Sequence, residues 1–210
     1  MAIKLSELKE EIDKVLGKIR DNSFSSNKQI AQLARGSDWA FVIKSQALIE
    51  SSLTRLLVAK VNDIGFLKLF DKMSVSQKIS LLKDLNLLES CEYKFIQNIS
   101  ELRNKLAHDP NEIDFTFKKY LKKLNEKDKL IFINKYYFSH SNEPDKKFME
   151  MFNKYPKVAI WISLVPLLTL INSKEELIRL SFDIDEKSSN TNEKLLKDLH
   201  PDLFINQLEK

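Results

Sequence analysis

Glycine is nearly absent from this chain: Gly17, Gly36 and Gly65 are its only glycines in 210 residues. Tight hairpin turns need residues that accept positive φ, so this shortage counts against an all-β sandwich. It also leaves no means of assembling a GxGxxG or GxxxxGKS/T phosphate loop. The hydrophobic share of 43% is enough for a packed core and argues against disorder. The single Cys91 excludes an internal disulfide and a cysteine-rich zinc site. No metal or other cofactor is expected.

Apolar spacing then reads as helix along most of the chain. Leu5, Leu8, Ile12, Val15, Leu16 and Ile19 recur at helical intervals behind Ser6, and residues 21–27 read as a turn. A short helix is expected to end near Gly36. Ser37 or Asp38 then caps a long helix running to about Val61, apolar on much of its circumference and therefore central. Residues 66–73 form a short helix, and Ser74 with Gln77 forms a capping box that opens the next. A helix from about Ser90 ends at His108-Asp109-Pro110, because the residue before proline is pushed out of the α region.

Beyond Pro110 a helix covers roughly Phe115 to Leu124, while LIFINKYYF reads as either helix or strand, and residues 139–144 as a loop. Residues 145–172 read as one long core helix kinked at Pro156 and Pro166. Ser173 is expected to cap KEELIRL. Residues 185–194 have a linker's composition, and a short tail helix follows to Leu208. The expected fold is all-α: an antiparallel bundle of about five main helices with extra C-terminal helices. Its helical domain covers 1–180, and linker and tail cover 181–210.

The first residues lack the uninterrupted apolar stretch of a signal peptide. The most apolar run, Val158 to Ile171, is shorter than the ~20 residues of a membrane span and reads as a buried helix. The expectation is a cytoplasmic protein without a membrane partner. A net charge of +4 is mild and suits a local phosphate site better than a broad nucleic-acid surface. The cations are nearly all lysine. Arginine occurs at 20, 35, 55, 103 and 179 only, and histidine at 108, 140 and 200 only. These scarce residues repay individual placement, because arginine's planar fork binds phosphate better than lysine does.

One arginine and one histidine fall close together in Arg103-Asn104-Lys105-Leu106-Ala107-His108, at the end of an amphipathic helix. In a straight helix the two lie about 140° apart around the axis. They converge if the last turn tightens, if both line a groove between helices, or if a two-fold axis brings two copies together. Cleavage of an RNA phosphodiester is the chemistry that wants such a pair. Histidine titrates near neutrality, so it can take the 2′-OH proton or supply one to the leaving oxygen. Arginine can hold the phosphate and stabilise charge on its oxygens. Asn104 can donate to the phosphate or orient the histidine. A helix C-terminus favours a cation, and Asp109 adds to that. A structural reading stands beside this one: Arg103 pairs with Glu101 or Glu50, and His108 serves the last free carbonyls.

This segment resembles the R-x4-6-H signature of the HEPN superfamily (higher eukaryotes and prokaryotes nucleotide-binding domains), in which a polar residue, here Asn104, often follows the arginine. The helix WAFVIKSQALIESSLTRLL resembles an early HEPN helix that often carries a glutamate, here Glu50. QKISLLKDLNLL followed by ISELRNKLAHD is similar to the mannitol operon repressor branch. The resemblance is best over residues 37–138 and leaves out the tail after 181. It implies a bundle of four or five helices and a homodimer with facing motifs. It also implies either a metal-independent endoribonuclease of toxin–antitoxin or antiviral systems, or a non-catalytic regulatory module. Arg103, His108 and Asn104 would then be catalytic, with Glu50 and Asp109 supporting. Arg55 and Lys105 would be available to RNA. RNA, a second copy and an antitoxin or regulatory protein would be the partners.

The remaining candidates are weaker. Lys118, Lys119, Lys122 and Lys123 form either a solvated face or an RNA-backbone patch. Tyr136, Tyr137 and Phe138 suit core packing better than base stacking.

Overall fold

The computed structural model describes residue 33 and residues 35–199, leaving out 110, 111 and 140–142, with side chains described as far as residue 190. The expected helix at 5–19, the turn at 21–27, His140, His200 and the tail beyond Leu199 lie outside the described residues. Among those described there are eight α-helices and no strand.

Helix α1 (Asp38–Val61) begins at Ser37, whose hydroxyl accepts from the Ala40 N–H. With glycine so scarce, its C-terminal cap falls to Asn62, which takes the left-handed conformation at φ 52°. A 3-10 turn (Ile64–Phe66) leads into α2 (Leu67–Lys72). Helix α3 (Val75–Asp84) opens on the Ser74–Gln77 capping box. Asn86, again at positive φ, turns the chain toward α4 (Ser90–His108). Glu89 and Glu92 cap the start of α4, and Asp109 is extended ahead of the proline. Helix α5 (Phe117–Lys122) is capped by Thr116. The ambiguous LIFINKYYF segment is helical as far as Lys135, supplying the end of α6 (Glu126–Lys135), with Tyr136 as its cap and Tyr137 and Phe138 beyond it. Its buried Phe132, Ile133 and Tyr136 face one side, the spacing of a helix rather than a strand.

The C-terminal third departs from expectation. Residues 145–172 do not form one kinked helix. Helix α7 (Lys146–Lys154) stops at Tyr155, and α8 (Pro156–Leu199) begins anew. Proline in the first helical position loses no bond, and it forces its predecessor out of the α region. Pro166 lies inside α8 without ending it. Ser173 caps nothing, because its neighbours are tied into the body of the molecule: Asn172 and Glu175 bond Arg55, and Lys174 bonds Glu92. The linker-like 185–194 is helical too; it contains neither glycine nor proline to break the helix.

Three helices carry the core. Helices α1 and α8 run parallel, tied at one end by Asp38–Lys157 (3.3 Å) and at the other by Arg55–Glu175 (3.1 Å). Helix α4 runs antiparallel to both. Its C-terminal end meets the start of α1, where Trp39 Nε1 donates to the Leu106 carbonyl, and its N-terminal end meets the middle of α8 through Glu92–Lys174. Phe41, Ile49, Leu53 and Leu57 of α1, Ile96 and Ile99 of α4, and Ile160, Leu164 and Ile171 of α8 are inaccessible to solvent. Each such side chain contributes roughly 2 kcal/mol by leaving water. Tyr136 and Phe138 pack edge-on against Phe95 and so belong to this core. Residues 156–190 of α8 are long and apolar enough to cross a membrane by length and composition, while one face of that stretch is buried here in the core.

Candidate active site

Arg103, Asn104, Lys105 and His108 occupy the last turn and a half of α4. The apolar stripe Ile99, Leu102 and Leu106 anchors this end in the core, which turns the intervening polar residues outward. Arg103 is half-buried, and Asn104, Lys105 and His108 are exposed. Arg103 Nη1 donates to Asn104 Oδ1 at 3.1 Å, the one hydrogen bond of this guanidinium among the described residues. His108 has no hydrogen-bond or ion-pair partner among them. Its neighbour Asp109 is half-buried and extended, and its carbonyl accepts from the Glu112 N–H.

Helix α4 stays α-helical through His108, so its last turn does not tighten. Arg103 and His108 therefore keep the separation of about 140° around the axis and ~7.5 Å along it. None of the described clefts is lined by either residue. An open cleft of about 630 Å³ lies further back, lined by Lys94, Gln97, Asn98 and Asn134 between α4 and α6.

Glu50 does not reach this end. Trp39 sits level with Leu106; from there Glu50 lies ~16 Å along α1 and Arg103 only ~4.5 Å back along antiparallel α4, at 1.5 Å per residue. The two are thus separated by ~12 Å along the bundle. The Glu50 carboxylate instead pairs at 3.1 Å with Lys78 of α3, whose side chain is 1% exposed. Arg55 is also engaged elsewhere. Its guanidinium donates to Glu175, Ser51, Ser52 and Asn172, which leaves little of the fork for a phosphate.

Lys105 does belong to the motif's surroundings. Its ammonium lies 4.7 Å from the centre of the Tyr120 ring, on α5. Lys119 and Lys123, both exposed, line a small cleft together with Tyr120, whereas Lys118 and Lys122 lie about 200° around the helix from that ring.

The chain matches no protein-family model, no curated protein and no solved structure.

Sequence reading missed four charged residues that the fold makes important: Lys78, Glu92, Lys174 and Glu175. Glu92 is fully buried, accepts from Lys174 Nζ at 2.6 and 2.8 Å, and accepts from its own helix's Glu89 N–H. Glu175 is held between Arg55 and Arg179. A capping box was legible for Glu92 in principle, from a glutamate three residues after Glu89. The Glu175–Arg179 pair is likewise a local i,i+4 spacing, but Lys78 with Glu50, Lys174 with Glu92 and Glu175 with Arg55 are far apart along the chain, and no local pattern reports those ties.

Proposed function

We infer that this protein is a HEPN-like endoribonuclease that works as a homodimer. The observation that carries this reading is the state of α4's C-terminal end. A half-buried arginine, a polar neighbour bonded to it and an exposed histidine without a described partner stand together at the surface. Arg103 binds the scissile phosphate and stabilises charge on its oxygens. His108 moves the proton at the 2′-OH or at the leaving oxygen. Asn104 orients the guanidinium. Arg103 and His108 lie about 140° apart around the axis, and a facing second copy brings a further arginine and histidine to the same phosphate. Lys119 and Lys123, which flank Tyr120, track the RNA backbone.

The test is incubation of the purified protein with several single-stranded RNAs and tRNA in EDTA. Cleavage leaving 2′,3′-cyclic phosphate ends, abolished in folded Arg103→Ala and His108→Ala variants, is the expected result. Intact RNA at high protein concentration would sink the reading.

One observation favours a second reading, a non-catalytic regulatory module similar to the mannitol operon repressor: no described cleft receives Arg103 and His108. In that case binding of protein or nucleic acid survives His108→Ala.

A further inference from the structure

The open cleft between α4 and α6 lies on the same side of α4 as the motif's histidine. Lys94 and Lys105 are eleven residues apart, and so are Gln97 and His108. Eleven residues make three turns, which leaves each pair only ~20° apart around the axis and ~16.5 Å apart along it. Arg103 lies ~120° around the axis from Gln97 and is turned away from the cleft. A strand that passes His108 and Lys105 and follows α4 toward its N-terminus therefore runs into the cleft.

The walls of the cleft are tied together. Asn98 Nδ2 donates to the Lys135 carbonyl at 2.9 Å, and the Tyr136 hydroxyl donates to the Asn98 carbonyl at 3.1 Å. A volume of about 630 Å³ suits a small molecule or one unit of a polymer. Three polar groups of the lining are unengaged. The carboxamides of Gln97 on α4 and Asn134 on α6, and the ammonium of Lys94, have no hydrogen-bond or ion-pair partner among the described residues. Ile131, 47% exposed, adds an apolar surface. The two carboxylates of the lining are both engaged, Glu101 with Lys135 at 3.6 Å and Glu89 in the cap of α4.

We propose that this cleft is a subsite for an adenine base of single-stranded RNA, read by Gln97 and Asn134, with Lys94 meeting that nucleotide's phosphate. A carboxamide carries a donor and an acceptor side by side, the complement of adenine's N6 and N7. On the same edge a pyrimidine offers a single group. In an unpaired strand these edges are open to a protein, and Ile131 supplies apolar contact to the face of the ring. The subsite lies ~16.5 Å from His108, about five nucleotides at the stacked spacing of ~3.4 Å and fewer in an extended strand. That the ligand is RNA rests on the ribonuclease reading; the cleft adds which base is preferred and where it sits.

The experiment uses the full-length His108→Ala protein, which holds RNA without cutting it, and compares oligoadenylate with oligouridylate by fluorescence anisotropy. Tighter binding of oligoadenylate by about 10-fold is expected, within the worth of one carboxamide–base contact. Adding Gln97→Ala and Asn134→Ala removes that preference and leaves oligouridylate binding and the melting temperature as they were, since both side chains are exposed. Equal affinity for the two oligonucleotides, or a preference that survives the two substitutions, overturns the subsite. Cleavage by the unsubstituted protein is scored apart. A base preference without cleavage sinks the ribonuclease reading and keeps the subsite, cleavage without a preference does the reverse, and absence of RNA binding sinks both.

Discussion

The two ends of α4 treat their charges in opposite ways. At the N-terminal end Glu92 is sealed from solvent and held by Lys174 and by its own backbone cap. At the C-terminal end, among the described residues, Arg103 bonds only its neighbour Asn104, and His108 faces solvent without a described partner. One helix thus carries a charge committed to architecture at one end and an arginine and a histidine turned toward solvent at the other. The difference lies in the packing. Lys174 of α8 reaches in to the first end, whereas at the second the apolar stripe packs on the beginning of α1 and the polar residues face outward.

The largest test of that contrast is Glu92→Ala. It leaves Lys174 without its buried counter-charge, and a loss of about 3 kcal/mol or more is expected in urea denaturation. A loss below 1 kcal/mol would break the comparison at its committed end. Tyr136→Phe comes next. It removes the hydrogen bond to the Asn98 carbonyl (3.1 Å) and is expected to cost about 1 kcal/mol. Burial pushes the Tyr136 hydroxyl's pKa up, so above pH ~10 the unfolded state loses this proton while the folded state keeps it. Stability present below that pH therefore falls as pH rises through it. The phenylalanine variant should show a shallower alkaline decline, and an identical slope in the two proteins would contradict the assignment.

Arg55→Ala is expected to cost less, about 0.5–1 kcal/mol, because its ion pair with Glu175 is partly exposed and screened by salt. A salt titration of the difference measures this. Smallest in stability are Arg103→Ala and His108→Ala, each within about 0.5 kcal/mol of the parent. The same two substitutions are expected to lower RNA cleavage by ~100-fold or more, the usual worth of a lost acid–base group. A large stability loss at either position would erase the distinction between the two ends of α4.

Local signals explain what could be read ahead of the structure. Ser37, the Ser74–Gln77 box and the His108-Asp109-Pro110 stop all act within one turn, and α1, α3 and α4 begin or end where they point. The motif on α4 was visible for the same reason. Long-range ties were not. Glu50 suggests itself as support for the motif through the likeness of its helix to an early HEPN helix, whereas its partner Lys78 is fixed by the packing of α3 on α1. Ser173 looked like a cap until the residues on either side proved to be held by α1 and α4. Pro156 read as a kink, because a helix interior and a helix start present the same proline to a sequence reader. The polar run at 185–194 lacks a helix breaker, and its composition alone does not separate linker from helix.

The parallel pairing of α1 with α8 has a consequence for biosynthesis. Arg55 and Asn172 meet across 117 residues, so the contact between these helices cannot close until residue 172 has left the ribosome. Helices α1 to α4 must wait with an apolar flank uncovered, the interval in which a nascent chain is most prone to aggregation. Late completion also leaves Glu92 exposed to a delay: a chain stalled before α8 lacks Lys174, the counter-charge that the buried carboxylate holds in the finished fold.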